Sequence, residues 1–218
     1  MNEPAAELRT LVRDARQLLR QMHARGIATV RGPAGTKQQI LEPVRRKAMR
    51  CQLCPLCRAR DRVVFGEGSL DARLVFVGEG PGREEDLQGK PFVGAAGALL
   101  TRMIEAMGLR RSSVYITNVV KCRPPGNRVP QPEEIAACLP YLETQLRTIR
   151  PRVICALGKT ATSALLQTDA PMQALRGRTF EWNGIPLVVT FHPAYLLRNP
   201  AAKKEAWEDL QRVLTLLR

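Results

Sequence analysis

The stretch TFHPAYLLRNP, residues 190–200, sets His192 beside Pro193 and just ahead of Tyr195, Leu196, Leu197 and Arg198. Histidine changes charge near neutral pH, so one placed in such company is a candidate hydrogen-bond donor or proton carrier. The only other histidine, His23, lies in a charged N-terminal segment without comparable neighbours. Two further polar groups end apolar runs: Glu79 in VGEGPGREED and Asn118 in VYITNVV. Six cysteines, at 51, 54, 57, 122, 138 and 155, complete the reactive inventory.

These groups are far apart in the chain, so the elements that carry them must bring them together. Apolar β-type runs at 74–77, 114–120, 153–157 and 187–190 alternate with helical spacing at about 95–107, 133–149, 159–167 and 202–217. Alternation of this kind predicts an α/β fold, a four-stranded parallel sheet sandwiched between helices, with right-handed crossovers. In an open parallel sheet ligands bind beyond the carboxyl ends of the strands. Glu79, Asn118, the Gly158-Lys159-Thr160 turn and His192 all fall at such ends, and the pattern predicts that they share one pocket.

The loop after the first strand, residues 77–97, is rich in glycine but lacks the order of a phosphate-binding loop, and Pro81 interrupts its Gly-x-Gly-x-Gly. What remains is backbone able to approach a ligand closely at Gly78 and Gly80, followed by Glu84, Glu85, Asp86 and Phe92. Carboxylates suit the first turn of a helix, the simplest reading of Glu84. Asn118 opposite a histidine can read the donor and acceptor edge of a planar heterocycle, with Phe92 as a stacking face. The large side chains after His192 then read as a wedge entering a duplex from which a base has been extruded.

Cys51-x2-Cys54 forms a chelating turn, Cys57 repeats the spacing, and Cys122 and the helical Cys138 offer further thiolates. Zinc and iron–sulfur clusters both accept four thiolates, and spacing does not choose between them. Cys155, inside RVICALG, reads as a buried apolar residue. A disulfide framework is disfavoured, because no export signal is read in residues 1–30, where acids and arginines interrupt any apolar run.

Thirty-four basic against 20 acidic residues give a formal net charge of +14 and a pI of about 10.3. The bases are mostly arginine, which pairs bidentately with phosphate, so a polyanionic partner is expected. No apolar run approaches the roughly 20 residues that cross a bilayer, so no membrane association is expected and the cytoplasm is the expected compartment. Residues 4–24 place Leu8, Leu11, Val12, Ala15, Leu18, Leu19 and Met22 on one stripe of a basic helix. That helix is either a docking element for a protein partner or one packed on the domain, and the following span to about residue 48 reads as a linker. The chain is therefore read as a helix and linker, 1–46, ahead of one α/β domain, 47–218.

At this point the sequence resembles the family 4 uracil-DNA glycosylases, the thermostable-type branch that carries a four-iron cluster. The resemblance covers roughly residues 47–217 and rests, in order, on CQLC, RVVFGEG, VGEGPGREED, GKPFVGAAGALL, VYITNVVKCRPPGNR, the helical Cys138, RVICALG and FHPAYLLRNP. It implies a monofunctional hydrolase of base excision repair, acting as a monomer on uracil-containing DNA, single- or double-stranded. It implies that Cys51, Cys54, Cys122 and Cys138 hold a [4Fe-4S] cluster, while Cys57 has no place in the family pattern and stands as the alternative to Cys54; with no evident electron partner, a structural cluster that shapes the basic loop 121–128 is expected rather than a redox one. Phe92 would stack on the flipped uracil, Asn118 would bond its amide edge, and His192 would face the carbonyl oxygen that gains charge. Gly80 stands where better-known uracil glycosylases carry a water-positioning aspartate, which leaves Glu79 and Glu85 as candidates. Tyr195, Leu196, Leu197 and Arg198 would enter the groove, and Arg123 and Arg128 of the basic loop would contact phosphate. Two rivals stand beside this reading. One is a related glycosylase that bonds to the abasic site through a histidine in an inserted loop, disfavoured by CRPPGNRVPQPEE, which has none. The other is a non-catalytic iron–sulfur DNA-binding module.

Overall fold

The computed structural model describes residues 35–218, so the helix expected over 4–24 lies outside the described residues. The chain enters through α1 (Lys37–Met49), which opens on a reciprocal cap: Gln39 N–H donates to Thr36 Oγ1, and Thr36 N–H donates to Gln39 Oε1. Leu41 and Ala48 bury its inner face, and Lys37 Nζ donates to the carbonyls of Leu70 and Ile149. This helix replaces the linker expected there, and the compact unit begins at Thr36. Pro43 and the surrounding basic residues break the apolar pattern that would have marked it.

After α1 come β1 (Glu67–Gly68), β2 (Leu74–Gly78), α2 (Arg83–Gln88), α3 (Ala95–Ala106), β3 (Tyr115–Asn118) and α4 (Pro132–Ile149). The second half runs β4 (Val153–Leu157), α5 (Lys159–Leu166), α6 (Met172–Leu175), β5 (Thr179–Trp182), β6 (Ile185–Thr190), α7 (Pro193–Arg198) and α8 (Lys203–Leu217). The strands form one sheet in the order β1-β3-β2-β4-β6-β5. The inner four are parallel, with Val75 opposite Tyr115 and Ile154, and Cys155 opposite Val188. The expected four-stranded parallel sheet is therefore present, and an antiparallel strand extends it at each edge. β5 and β6 form a hairpin closed by Asn183 and Gly184, both at positive φ, the pairing a tight two-residue turn favours.

β2 and β4 are buried along their whole length, as strands covered on both faces must be. Their side chains alternate between two cores. Val75, Val77, Ile154 and Ala156 face Leu142 and Leu146 of α4 and Ala161 and Leu165 of α5. Leu74, Phe76, Val153 and Cys155 face Leu100 and Ile104 of α3 and Leu210 and Val213 of α8. Cys155 is thus the packing residue its strand position predicted. Among the described residues no helix is long and apolar enough to cross a membrane.

Candidate active site

The carboxyl ends of β2, β3, β4 and β6 open into one cavity of about 500 Å³. Glu79, Phe92, Asn118, Gly158 and His192 all line it, so the convergence expected from topology is present. Gly158, which caps α5 at φ +85°, is where β4 yields to His192: a Cβ there would lie 2.9 Å from His192 Cβ and would strain the left-handed backbone.

His192 caps α7, and its Nδ1 accepts the Ala194 N–H at 3.1 Å. A ring nitrogen that accepts carries no proton, so the neutral ring holds its hydrogen on Nε2. Burial, and secondarily the charge of Arg198, pushes the His192 pKa down to about 4, with Glu85 opposing. The imidazole is therefore neutral at physiological pH and offers the cavity one N–H donor. The Phe92 ring lies 5.5 Å from it, tilted by 33°.

Asn118 ends β3 with 1% exposure, and its side-chain oxygen is buried without a hydrogen-bond partner. A buried unsatisfied amide oxygen costs about 1–3 kcal/mol unless a ligand completes it. Gly78 sits beneath it rather than on the cavity wall. A Cβ at Gly78 would fall 2.4 Å from Asn118 Oδ1 and 2.6 Å from the Phe92 ring, so only glycine lets the two approach. Phe92 takes φ +53°, an uncommon conformation for an aromatic residue and one that persists where neighbours enforce it. Arg111 grips the preceding Pro91 carbonyl at 2.6 Å, and the following two amides are held by Glu85.

The two candidate carboxylates differ in what they already hold. Glu85 accepts from Val93 N–H at 2.8 Å and Gly94 N–H at 2.9 Å with one oxygen, and from Gly82 N–H at 3.1 Å with the other. It staples the glycine-rich loop to the Phe92 turn. Glu79 accepts a hydrogen bond from the Thr160 hydroxyl of α5 with Oε2, and its other oxygen has no partner among the described residues. Thr160 was visible in the sequence only as part of the third strand-end turn. Glu84 lies exposed in the first turn of α2, as expected, whereas Asp86 is buried and accepts the Asp61 and Arg62 amides.

A second, smaller pocket gathers the cysteines. Cys51, Cys54, Cys57, Cys122 and Cys138 line it together with Arg60, Lys121 and Tyr141. Arg60 donates to Cys122 Sγ at 3.2 Å, the Lys121 amide donates to Cys138 Sγ at 3.2 Å, and the buried Tyr141 hydroxyl finds no partner. Burial pushes the thiols of Cys54 and Cys122 up and that of Cys138 up to about 11. Among the described residues no three His, Cys, Asp or Glu side chains converge on one point as the ligands of a single ion do. Lys121 lies between this pocket and the first. It is 2% exposed, and its Nζ donates to Thr117 Oγ1, Asn118 O and Gln145 Oε1, each at 2.7 Å. No sequence signal marked this buried ammonium, since its partner Gln145 comes from the middle of α4.

Residues 65–211 match the family model described as the uracil DNA glycosylase superfamily. A type-4 uracil-DNA glycosylase of Thermotoga maritima is 46% identical over 187 residues, covering 84% of this chain and 97% of the relative. Those of Saccharolobus solfataricus and Archaeoglobus fulgidus are 46% and 42% identical, covering 79% and 80% of this chain and 84% and 92% of the relatives. The chain belongs to the type-4 uracil-DNA glycosylases.

In this type-4 glycosylase the rim of the larger cavity divides the residues grouped by the sequence. Tyr195 and Arg198 line it, and Leu197 is 40% exposed beside them. Leu196 is 1% exposed and packs with Leu99, Phe191, Ala202 and Ala206, which removes it from the expected groove contacts. Helix α7 starts at Pro193, and its turn carries Leu196 inward and Leu197 outward. Phe191 stacks on Tyr195 at 4.8 Å, and Arg176 covers the Phe191 ring at 4.0 Å. Arg176 is itself tied to Asp209 at 2.8 Å, so this edge of the rim is braced from α8. On the other side Arg128 is engaged by Glu134 through both carboxylate oxygens, at 2.7 and 2.9 Å, and Arg123 donates to Asn127 Oδ1 at 2.8 Å. Both arginines shape their loop with the groups expected to meet phosphate.

Proposed function

We propose that the chain hydrolyses the N-glycosidic bond of deoxyuridine in DNA, leaving an abasic site for base excision repair. The observation that carries this reading is the pairing of a neutral Nε2–H donor with an unpartnered buried amide in one cavity. Breaking the bond between C1′ and N1 leaves an oxocarbenium-like sugar and a uracil anion whose charge is shared with its carbonyl oxygens. In this reading the His192 Nε2–H donates to one of these oxygens, and a preorganised donor in a dry site is worth more than the same donor in water. Asn118 offers the acceptor that uracil N3–H needs and a donor for O4, and Phe92 supplies the stacking face of a flipped base. Water bonds to C1′ as the base departs. Glu79, with one oxygen free, orients this water and takes up its proton, and the uracil anion is reprotonated on release. Glu85 holds three amides and serves the loop instead.

Cys51, Cys54, Cys122 and Cys138 are the proposed ligands of a [4Fe-4S] cluster. The five cysteines that line one pocket supply the four thiolates such a cluster needs. A cluster there would cross-link the Cys51–Cys54 turn, the loop after β3 and α4, a structural task. Tyr195, Leu197 and Arg198 meet the DNA at the rim, single- or double-stranded. Action as a monomer and a cytoplasmic location complete the proposal.

The test is incubation with a labelled oligonucleotide carrying one uracil, followed by hot alkali to cut abasic sites. Scission at uracil and none at thymine in the same context is expected. No scission by a folded, iron-loaded protein would replace this reading with a DNA-binding module.

A further inference from the structure

The loop between β3 and α4 carries an apolar side chain whose place the reaction has not used. Val129 is 61% exposed and lines the cavity. Its neighbours hold it rigidly: Pro124 and Pro130 are buried at the loop's ends, Asn127 N–H donates to the Pro124 carbonyl at 3.0 Å, and Arg128 donates to both Glu134 and the Val129 carbonyl. The Gln131 amide also donates to Glu134, at 2.8 Å, which fixes the exit of the loop. A single exposed valine on a loose loop would need no account. A braced one at the cavity mouth, among polar residues, is presented.

The sheet order says where it stands. β3 and β6 are the outer members of the parallel four, with β2 and β4 between them. Three strand spacings of about 4.8 Å put the bases of their two loops about 14 Å apart. Val129 therefore rises on one side of the cavity and the exposed Leu197 on the other. Resting on the glycosylase reading, we propose that Val129 is a second apolar contact with DNA, abutting the nucleotide that neighbours the extruded one on the side away from Leu197. One side chain alone would let the stack close from its open side. Two flanking the gap hold both neighbours of the flipped base, a task a duplex demands and a single strand does not. The arginines that brace the same loop keep Val129 at a fixed place on the rim.

The experiment compares single-turnover uracil release from a duplex and from the same strand alone, for the parent, V129A, V129D and V129I. The duplex-to-single-strand rate ratio is expected to fall about tenfold in V129A and further in V129D, while V129I holds the parent's ratio. An unchanged ratio in V129A overturns the proposal, as does an equal loss on both substrates, which would place Val129 in the pocket rather than at the stack. A parent that releases uracil from neither substrate overturns the glycosylase reading itself.

Discussion

The two pockets are built on opposite principles. In the larger one, Glu79, Asn118, Gly158 and His192 come from four strands and are united only by parallel pairing, so their meeting is a property of the sheet. In the smaller one, Cys51 and Cys54 meet through a turn, and Cys122 and Cys138 are delivered by the loop after β3 and the first turns of α4. The first leaves a ring N–H and an amide oxygen unpaired toward a ligand that comes and goes. The second surrounds buried thiols with Arg60 and the Lys121 amide, a setting for a permanent guest. The proposed division is of chemistry from cross-linking, a separation that Lys121 spans: its Nζ donates to the Asn118 carbonyl and its backbone amide to Cys138 Sγ.

If the separation holds, damage to the first pocket removes rate and leaves stability. His192→Ala is expected to lower single-turnover excision by about 10²–10³, since it deletes one preorganised donor, with stability reduced by no more than the roughly 1 kcal/mol that loss of the α7 cap costs. A much larger fall in stability would make the histidine a packing residue. Damage to the second pocket should do the reverse. With the proposed cluster in place, Cys138→Ser is expected to lose most of the iron that the parent carries, measured by chelation and visible absorbance, and to melt well below the parent. Its surviving folded fraction should excise uracil within about tenfold of the parent, and a loss as large as that of His192→Ala would merge the two pockets into one functional unit.

A smaller contrast divides the rim. Leu196→Ala should cost about 3 kcal/mol of stability, read by denaturant unfolding, because it empties a filled core position. Leu197→Ala should stay within about 0.5 kcal/mol and show its effect on duplex substrate. The smallest effect is that of pH. His192 has a folded pKa of about 4 against 6.5 when unperturbed, so the unfolded chain takes the proton first. Its contribution to stability therefore falls as pH drops from 6.5 toward 4, and is constant above 6.5. The ratio of parent to His192→Ala excision rates should be flat between about pH 5 and pH 8, and a step near pH 6.5 would show a charged imidazole in the reaction.

The same contrast explains what could be read before the fold was known. Strand ends follow from apolar runs, and the rule that ligands gather at their carboxyl side needs no side-chain detail, so the company of His192, Asn118 and Glu79 was legible. Local chemistry was legible less evenly. Asn183-Gly184 between two strand-like runs is a strong hairpin signal for the added edge strand, and Thr36-x-x-Gln39 marks a helix start that Pro43 obscures. The two leucines after Tyr195 could not be told apart until the start of α7 fixed their phase. Glu79 and Glu85 were equal as types and differ only in what each already binds, which depends on Thr160 and on the turn at Phe92–Gly94. Lys121 was invisible, because its burial rests on Gln145, 24 residues on.

The claim that matters most is that His192 and Asn118 act on one base in one cavity. A double-mutant cycle of single-turnover uracil excision tests it directly, using His192→Ala, Asn118→Ala and the pair. Groups that hold the same flipped base are expected to be strongly non-additive, the double variant losing little more than His192→Ala alone. Losses that multiply across the two sites would mean that the residues act independently, and would contradict the account.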